Sequence, residues 1–477
     1  MSEDSRVGAD IRSAVGHPII DCDGHTLEHF PTFLEYVREI AGEETLRLYT
    51  QVPAWYEASE QERVDKRLVR PPWWVIPSGN TTDVATAMFP ALLEERLEQF
   101  GIDFTVLFPT FGAGPEDLPG PEMQEIRRGS CRAYNAYQAE RYRPHAAHMT
   151  PAARIPVHTP DEAIEEIRYA SEVLGLKVMM MTGHARRPVS DPTASSAGDF
   201  GSWVDNLTLD SLYDYDPVWA LCREQKLLPC FHGASAGWGS KVSISNYMFN
   251  HIGKFATANE AICKGLFMGG VTRRFPDLKF GFLEGGVGWA VNLVNDLISH
   301  WDKRSDARIR EYDPANIDWA AFGELAERYQ VKNGGRGLAA PTSGLSVLPP
   351  RLQVPRDAMG PLDDFGHTDI GSVSEFAARF TENFYFGCEA DDRMNGLAFD
   401  RTLTGLDSDV KAVFSSDIGH WDVPDMAKVV VEAYELVEDG LLDAEGFRKF
   451  TFDYPAELLR SCGDELFVGT VLERSAG

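Results

Sequence analysis

Residues 19–25 read IIDCDGH, an apolar pair that runs directly into two carboxylates and an imidazole. Side chains alternate between the two faces of a β-strand, so Asp21, Asp23 and His25 are predicted to share one face where the strand ends. A turn capped by the two aspartates would use them for local hydrogen bonds. A metal site would use them as ligands. The rest of the chain decides between these two interpretations.

This stretch belongs to the first of eight short apolar runs that alternate with amphipathic segments. Each run has little polar interruption, which is typical of strands that are buried on both faces. The runs are 17–22, 102–108, 149–157, 174–181, 227–232, 278–283, 383–388 and 412–416. The segments predicted as helices include 159–175, 215–226, 285–301 and 426–442.

Alternating strands and helices predict a parallel sheet with right-handed crossovers, and eight such units close an α/β fold of the (β/α)₈ type, the TIM barrel. A doubly wound open sheet is the alternative. We prefer the barrel because no Gly-x-Gly-x-x-Gly turn follows the first strand. One domain, 1–477, is predicted, with the barrel at about 15–460. The long loop or helical insertions are about 30–100, 182–214 and 333–375.

Composition excludes several classes of protein. The formal net charge is −28, from 73 acidic and 45 basic residues, which disfavours binding to nucleic acid and to anionic membranes. The seven cysteines are scattered without a Cys-x-x-Cys pair, as expected for reduced thiols. No apolar run reaches the length of about 18 residues that a membrane helix needs. We therefore expect a cytoplasmic, soluble protein that forms a homo-oligomer.

Polar residues at the ends of the predicted strands suggest a site. Catalytic groups of TIM barrels lie at the C-terminal ends of the strands, which converge on one mouth. Several buried carboxylates there are costly unless protons or a cation neutralise them, so a metal site is predicted. Histidines mixed with carboxylates suit Zn²⁺, Fe²⁺ or Mn²⁺. The candidate ligands are Asp21, Asp23, His25, His232, Glu284, Glu389, Asp417 and His420.

The spacing of these residues is similar to that of a known family. Asp-x-His in the first strand, a His after the fifth and Ser-Asp-x-x-His after the eighth resemble the amidohydrolase superfamily, in its aminocarboxymuconate-semialdehyde-decarboxylase-like branch. The similarity includes RRFPDLKFGFLEGGVGWA, residues 273–290, and extends over most of the chain. It implies a metal bound by four residues, which are Asp23, His25, His232 and Asp417.

Two departures from the superfamily pattern increase the number of carboxylates. The first strand has Asp23 where many members have His, and the sixth is followed by Glu284 where relatives commonly have His. With Asp21 and Asp417 these can fill two metal shells, and an oxygen-rich shell favours nonheme iron. The chain thus resembles the TIM-barrel nonheme diiron monooxygenases of platensimycin and platencin biosynthesis.

The resemblance to these monooxygenases implies an oxidoreductase of secondary metabolism with two Fe per chain. O₂, an electron donor and a CoA-linked, terpenoid-like or other bulky acyl substrate are implied with it. The alternative is a Zn²⁺- or Mn²⁺-dependent hydrolase or nonoxidative decarboxylase, in which Asp417 or His420 acts as the catalytic acid or base. A barrel that only binds a ligand or partner is a third possibility.

Some candidate roles stay open at this stage. Asp21 either binds metal or orients a ligand. Lys177 in the fourth strand is either a carboxylated bridge between metals, as in binuclear superfamily members, or a residue packed near the start of the strand. The segment RPPWWVIP, residues 70–77, lines a substrate cavity or packs in the core or in a dimer.

Two arginine pairs stand out in this acidic chain. Arg186 with Arg187, and Arg273 with Arg274, provide the fork geometry that binds phosphate, such as that of CoA, at the rim of a site. Ion pairs with carboxylates of the protein are the other interpretation.

Overall fold

The computed structural model describes residues 6–51, 58–66, 68–70, 79–110, 123–189, 202–233, 242–329, 344–349 and 362–475. Its β-strands are β1 (Ile20–Thr26), β2 (Phe104–Pro109), β3 (Met149–Pro151), β4 (Ala153–Arg154), β5 (Val178–Met181), β6 (Ala185–Pro188), β7 (Ser202–Asp205), β8 (Leu228–Phe231), β9 (Phe280–Phe282), β10 (Phe384–Cys388) and β11 (Lys411–Phe414).

The α-helices surround these strands. They are Gly8–Val15, Phe30–Tyr36, Gly42–Gln51, Glu60–Lys66, Thr81–Met88, Pro90–Phe100, Gln124–Tyr142, Pro160–Arg168, Asp216–Glu224, Tyr247–His251, Lys254–Met268, Val271–Arg274, Gly288–Arg304, Asp306–Ile309, Trp319–Tyr329, Val373–Asn383, Asn395–Phe399, Arg401–Thr404, Val429–Glu438, Ala444–Arg448 and Tyr454–Arg460. Segments of π-helix are Val37–Ala41, Tyr169–Val173 and Lys449–Asp453. The 3₁₀ segments are Arg143–His145, Arg310–Tyr312, Pro314–Asn316, Leu345–Val347, Met426–Lys428 and Asp464–Phe467.

The parallel strands form a barrel in the order predicted from the sequence. One sheet has the order β1-β2-β3 and the other β11-β10-β9-β8-β5-β4, with parallel pairing throughout both. Only Ala152 separates β3 from β4, so this single bent strand passes from one sheet to the other. All eight apolar runs are therefore strands, and the TIM barrel is confirmed.

The barrel closes between the first and the last of these strands. The amide of Asp417 donates to the carbonyl of Asp23 at 2.8 Å, and the amide of His25 donates to the carbonyl of Ile418 at 2.7 Å. The closing hydrogen bonds thus come from the residues just after β11, which are bonded to the second half of β1. Predicted metal ligands are part of this closure.

Both faces of the barrel strands are buried, which explains their apolar sequences. In β5, Val178 and Met180 pack into the barrel interior with Cys230, whereas Met179 and Met181 pack against the surrounding helices. The first helix of the predicted segment 159–175 begins after Thr159, whose side chain accepts a hydrogen bond from the amide of Glu162.

The insertions contain more regular structure than was predicted. Residues 182–214, predicted as a loop, include the antiparallel pair β6 and β7. Residues 71–77 of the Trp- and Pro-rich segment lie outside the described residues, as does most of 333–375. All seven cysteines are buried and free of disulfides, as predicted. Among the described helices, none combines the length and apolar character needed to cross a membrane.

Candidate metal centre

The predicted ligands come together at the mouth of the barrel. Asp23 and His25 lie in β1, His232 directly follows β8, Glu284 follows β9 and Asp417 follows β11. These are parallel strands of one closed barrel, so their C-terminal ends face one mouth. Residues that are up to 394 positions apart in sequence (Asp23 to Asp417) are thereby brought into contact.

The imidazole of His25 lies in the middle of this cluster. Its Nε2 is 3.4 Å from Oδ1 of Asp23 and 3.1 Å from Oδ1 of Asp417. Nε2 of His232 is 3.2 Å from Nε2 of His25 and 3.4 Å from both Oδ1 of Asp23 and Oε2 of Glu284. Ligand atoms about 2.1 Å from a tetrahedral or octahedral cation lie roughly 3.0 to 3.4 Å from one another. The spacing of Asp23, His25 and His232 therefore fits one shared cation, and His25, Glu284, Asp417 and His420 form an overlapping group of converging ligand atoms.

The carboxylates of the cluster are buried without the hydrogen bonds that buried carboxylates require. Asp23 is 1%, Asp417 2% and Glu284 9% exposed. Within the described residues, no hydrogen bond of good geometry reaches either oxygen of Asp23, either oxygen of Asp417, or Oε2 of Glu284. Burial of a carboxylate without compensation is costly, and a cation supplies that compensation. The residues therefore fit a bound divalent metal.

The electrostatics of the cluster favour a positive charge at its centre. Burial opposes ionisation of Asp23, but the adjacent His232 and His25 outweigh it and lower the pKa of Asp23. Burial likewise opposes protonation of His25, yet its contacts with Asp23 and Asp417 raise the pKa of His25 well above its usual range. Burial, followed by the proximity of Asp417, raises the pKa of Glu284. A proton and a metal cation compete for the same place.

Neighbouring groups orient the two imidazoles. Nδ1 of His25 lies 3.3 Å from the carbonyl oxygen of Pro109. If Nδ1 carries the proton, Nε2 presents its lone pair to the cluster, as in many metal sites. The ring of His232 stacks on Phe108 at a centroid distance of 5.3 Å. Both rings are thus fixed before a metal binds.

Two of the predicted ligand residues have a left-handed backbone. Glu284 has φ 54° and Asp417 has φ 52°. Non-glycine residues rarely adopt this conformation, and it is found most often where a side chain must be held in a functional position. Both strand-to-helix turns therefore carry backbone strain that directs a carboxylate into the mouth.

Asp21 does not share a face with Asp23, which corrects the prediction. Ile20 and Cys22 pack into the barrel interior, so Asp21 between them points to the opposite side. Its carboxylate accepts hydrogen bonds from the hydroxyls of Thr105 and Ser416, each at 2.7 Å. The strand register shifts between Asp21 and Gly24, and such a bulge re-aims the following side chain. Asp21 is thus placed to orient β1.

The side chain of His420 lies at the edge of the cluster of predicted metal ligands. Its Nδ1 is 2.8 Å from Oδ1 of Asp417, and its Nε2 is 3.3 Å from the hydroxyl of Thr110. The ring stacks on His25 with a centroid distance of 3.6 Å. Burial, and then the charge of His25, lower the pKa of His420 well below its usual range. Oδ1 of Asp417 connects this imidazole to the ligand set.

Two other predicted candidates lie apart from the four-residue centre. Glu389, after β10, lines a neighbouring cavity with Glu284, and burial together with Asp417 and Asp422 raises its pKa to about 9. Lys177 precedes β5, at the N-terminal end of the barrel, where its Nζ donates to the carbonyl of Gln225 at 3.2 Å. The position of Lys177 fits packing rather than a bridge between metals.

Three of the four arginines predicted to bind phosphate contact carboxylates of the protein. Arg187 is buried and donates through Nε to Asp205 at 3.0 Å. Arg274 forms a two-pronged contact with Asp216 at 2.5 and 2.8 Å. Arg273 lies 3.6 Å from Asp369 at the surface. Arg186 is half-buried in β6. Their assignment to phosphate or CoA stays a prediction.

Two residues near the centre were not predicted from the sequence. His251 ends the helix Tyr247–His251, and Asp422 lies two residues after His420. With Glu284 they form a second group of converging ligand atoms. Burial, and then Asp417, raise the pKa of Asp422 to about 7. The acidic stretch SDIGHWD already contained Asp422, whereas His251 follows no strand and gave no signal.

Residues 20–330 of the chain match the amidohydrolase family. No curated protein matches the sequence. The fold is similar to a crystal structure of 2,6-dihydroxybenzoate decarboxylase complexed with 2,6-dihydroxybenzoate, with a TM-score of 0.50. The two sequences are 13% identical, and the alignment covers 93% of this chain and 99% of that chain. This similarity supports the barrel fold.

Two further solved structures have TM-scores of 0.49. One is dihydroxybenzoic acid decarboxylase from Polaromonas sp. JS666 with bound manganese, at 12% identity and with coverages of 93% and 97%. The other is 5-carboxyvanillate decarboxylase from Novosphingobium aromaticivorans, at 11% identity and with coverages of 96% and 99%. The predicted relation to diiron monooxygenases stays a prediction.

Proposed function

Because the chain belongs to the amidohydrolase family, and is thus a metal-dependent enzyme, we propose that it is a nonoxidative decarboxylase of a carboxylic acid. The observation that carries the proposal is the contact of Asp417 with both His25 and His420. It places a possible acid–base residue, His420, against a buried cluster of potential metal ligands. Decarboxylation needs both of these elements.

The residues that would hold the cation are Asp23, His25, His232 and Asp417, with Glu284 adjacent. A bound Mn²⁺ or Zn²⁺ would supply a Lewis acid that polarises and orients a substrate oxygen. Loss of CO₂ leaves an electron pair on the substrate carbon, and that carbon must take up a proton. The Asp417–His420 pair is positioned to hold and deliver this proton.

The decarboxylase of similar fold supports an aromatic acid as the substrate class, since it is complexed with 2,6-dihydroxybenzoate. A ring that bears a carboxylate beside a hydroxyl offers two oxygens to one cation. Phe108 and Phe255, which pack against the ring of His232, provide flat apolar surface at the centre. Hydrolysis of an ester or amide by activated water is the other reaction that the same residues permit.

The number of carboxylates favours a second candidate function, the nonheme diiron monooxygenase predicted from the sequence. Asp23, Glu284 and Asp417 contribute three carboxylates to the cluster, and oxygen-rich shells suit iron. This candidate requires O₂, an electron donor and two Fe per chain. Its predicted substrate is a CoA-linked acyl compound.

One experiment separates these functions. The purified chain is loaded anaerobically with Mn²⁺, Zn²⁺ or Fe²⁺. Each form is then incubated with hydroxylated benzoates and their esters, once without O₂ and once with O₂, while CO₂ release, ester hydrolysis and O₂ uptake are recorded. We expect CO₂ release without O₂, its loss after chelation, and its absence in Asp23→Asn. Hydrolysis of esters without CO₂ release would contradict the decarboxylase. Activity that needs iron and consumes O₂ would favour the monooxygenase.

A further inference from the structure

We propose that the ammonium group of Lys254 binds the carboxylate of the substrate at the mouth of the barrel. This inference deepens the proposed function and rests on it, because it assigns a residue to the acid group of an aromatic acid. Lys254 is half-buried and is the first residue of the helix Lys254–Met268. The residues that would hold the cation and deliver the proton include no lysine or arginine, so this role is separate from theirs.

The contacts of Lys254 place its charge beside the metal centre. Its Nζ lies 4.5 Å from the centroid of the Phe255 ring and 5.8 Å from that of the Tyr247 ring. The ring of Phe255 in turn packs against the imidazole of His232, a predicted metal ligand, at a centroid distance of 5.3 Å. One aromatic ring thus connects the ammonium group to the ligand set.

The charge of Lys254 is only partly compensated by the protein. Burial lowers the pKa of Lys254, although the carboxylates of Glu284, Asp422 and Asp417 act in the opposite direction. In the part of the chain that the structure describes, the close contacts of Nζ are with the faces of aromatic rings. A divalent cation at the metal centre would take up part of the nearby negative charge. A carboxylate that enters the mouth would then compensate the ammonium group.

The position of Lys254 in its helix is unfavourable without an anion. The helix has 15 residues and follows Gly253, whose φ is 72°. Its first turn contains no acidic residue, and the N-cap provides no side-chain hydrogen bond to it. The N-terminal end of a helix carries a partial positive charge, which repels a lysine and attracts an anion. The ammonium group and the end of the helix therefore favour the same kind of ligand.

The aromatic residues near Lys254 match the rest of an aromatic acid. The rings of Phe108 and Phe255 both pack against His232, each at a centroid distance of 5.3 Å. Flat apolar surface therefore lies next to a positive group, and aromatic rings pack well on such surface. An aromatic acid has the complementary pair of features, which are a flat ring and a negative group.

The charge of the metal centre explains why an acid substrate needs a cationic side chain. When ionised, the carboxylates of Asp23, Glu284 and Asp417 carry three negative charges, one more than a divalent cation neutralises. This excess would repel the carboxylate of a substrate. The positive charge of Lys254 offsets it, so that an acid can approach the loaded centre.

Binding of a matched pair of ligands tests the role of Lys254. The probes are 2,6-dihydroxybenzoate and 1,3-dihydroxybenzene, which has the same ring and hydroxyls without the carboxylate. Binding to the Mn²⁺-loaded full chain is followed by stopped-flow tryptophan fluorescence, before product accumulates. In Lys254→Met the dissociation constant of the acid should rise roughly 10- to 100-fold, because a charge-assisted hydrogen bond is lost. That of the diphenol should change by less than about twofold, since it makes no such bond.

Two further variants are the controls. Lys254→Arg keeps the positive charge and should keep part of the preference for the acid. Lys264→Met removes an exposed lysine of the same helix, 3.4 Å from Glu260, and should bind both probes as the wild type does. The Mn²⁺ content of every variant should equal that of the wild type, since neither lysine is a metal ligand.

The outcomes separate the role of Lys254 from the proposed reaction. Equal affinity of Lys254→Met and the wild type for the acid would overturn this role, as would an equal loss of affinity for both probes. A wild type that does not prefer the acid to the diphenol would also overturn it. A wild type that binds the acid but releases no CO₂ would contradict the decarboxylase, whereas selective loss of acid binding in Lys254→Met would still support the carboxylate site.

Discussion

The carboxylate of Asp21 accepts two hydrogen bonds from Ser416, one from its backbone amide at 2.8 Å and one from its hydroxyl at 2.7 Å. It also accepts one from the hydroxyl of Thr105 at 2.7 Å and one from the amide of Asp23 at 3.1 Å. Ser416 directly precedes Asp417. One buried carboxylate therefore aligns the two segments that carry metal ligands, at the place where the barrel closes.

Asp21→Asn should weaken both the fold and the metal site. The amide nitrogen of Asn cannot accept the hydrogen bonds that one carboxylate oxygen receives, so buried donors lose their partner. We expect a loss of about 2 kcal/mol in the free energy of unfolding, measured by urea titration. Metal affinity should fall roughly 10- to 100-fold, measured by calorimetry. The exposed change Asp369→Asn should alter neither, and equal behaviour of the two variants would contradict the orienting role.

Asp23→Ala and His232→Ala should each abolish metal binding at the metal centre. Each change removes a ligand atom that lies 3.4 Å from the other. A buried shell that loses one ligand also loses the charge or geometry that selects the cation. Metal content after dialysis is the measurement, and His145→Ala, a change at a partly buried histidine that is paired with Glu94, is the control. Full metal retention in both variants would disprove the ligand assignment.

The barrel could be predicted because its strands are buried on both faces. β5 shows the reason: its four residues pack alternately inward and outward, and all must be apolar. The convergence of the four predicted ligands could be anticipated for a related reason, since strand ends in a barrel converge. The sequence therefore indicates both the strands and the residues at their ends.

Other features depend on contacts that no local pattern reveals. The bulge after Asp21 breaks the alternation on which the shared face was predicted, and its cause is the fit of β1 against β2 and Ser416. His251 lies on a short helix between strands, so its approach to Asp422 depends on how that helix packs. Non-local packing of this kind is not encoded in the spacing of residues along the chain.

The two arginine pairs predict contrasting effects on stability. Arg187 is buried against Asp205, so Arg187→Met leaves a buried carboxylate without its counter-ion and should cost about 3 kcal/mol of unfolding free energy. Arg273 is 42% exposed and 3.6 Å from Asp369, so Arg273→Ala should change stability by less than about 0.5 kcal/mol. Urea titration of both variants measures the difference. If Arg187→Met leaves the free energy of unfolding unchanged, the ion pair does not account for Arg187, and phosphate binding by Arg187 becomes the preferred interpretation.

His158 should make the protein less stable in mild acid. It is 5% exposed, and both of its ring nitrogens lack a hydrogen bond within the described part of the chain. Burial, with the charges of Arg127 and Arg187, lowers its pKa to about 3. Below the unfolded pKa of about 6.5, the unfolded chain therefore takes up a proton that the folded chain does not.

Stability from this residue is present above pH 6.5 and is lost as the pH falls toward 3, by about 2 kcal/mol between pH 7 and pH 5. His158→Phe keeps the ring volume and removes the titration. When the pH falls from 7 to 5, the wild type should therefore lose about 2 kcal/mol of unfolding free energy that the variant keeps. Urea titration at each pH measures this difference. His300→Phe, at an exposed histidine, should follow the wild type. A parallel pH dependence of His158→Phe and the wild type would show that folding does not lower the pKa of His158.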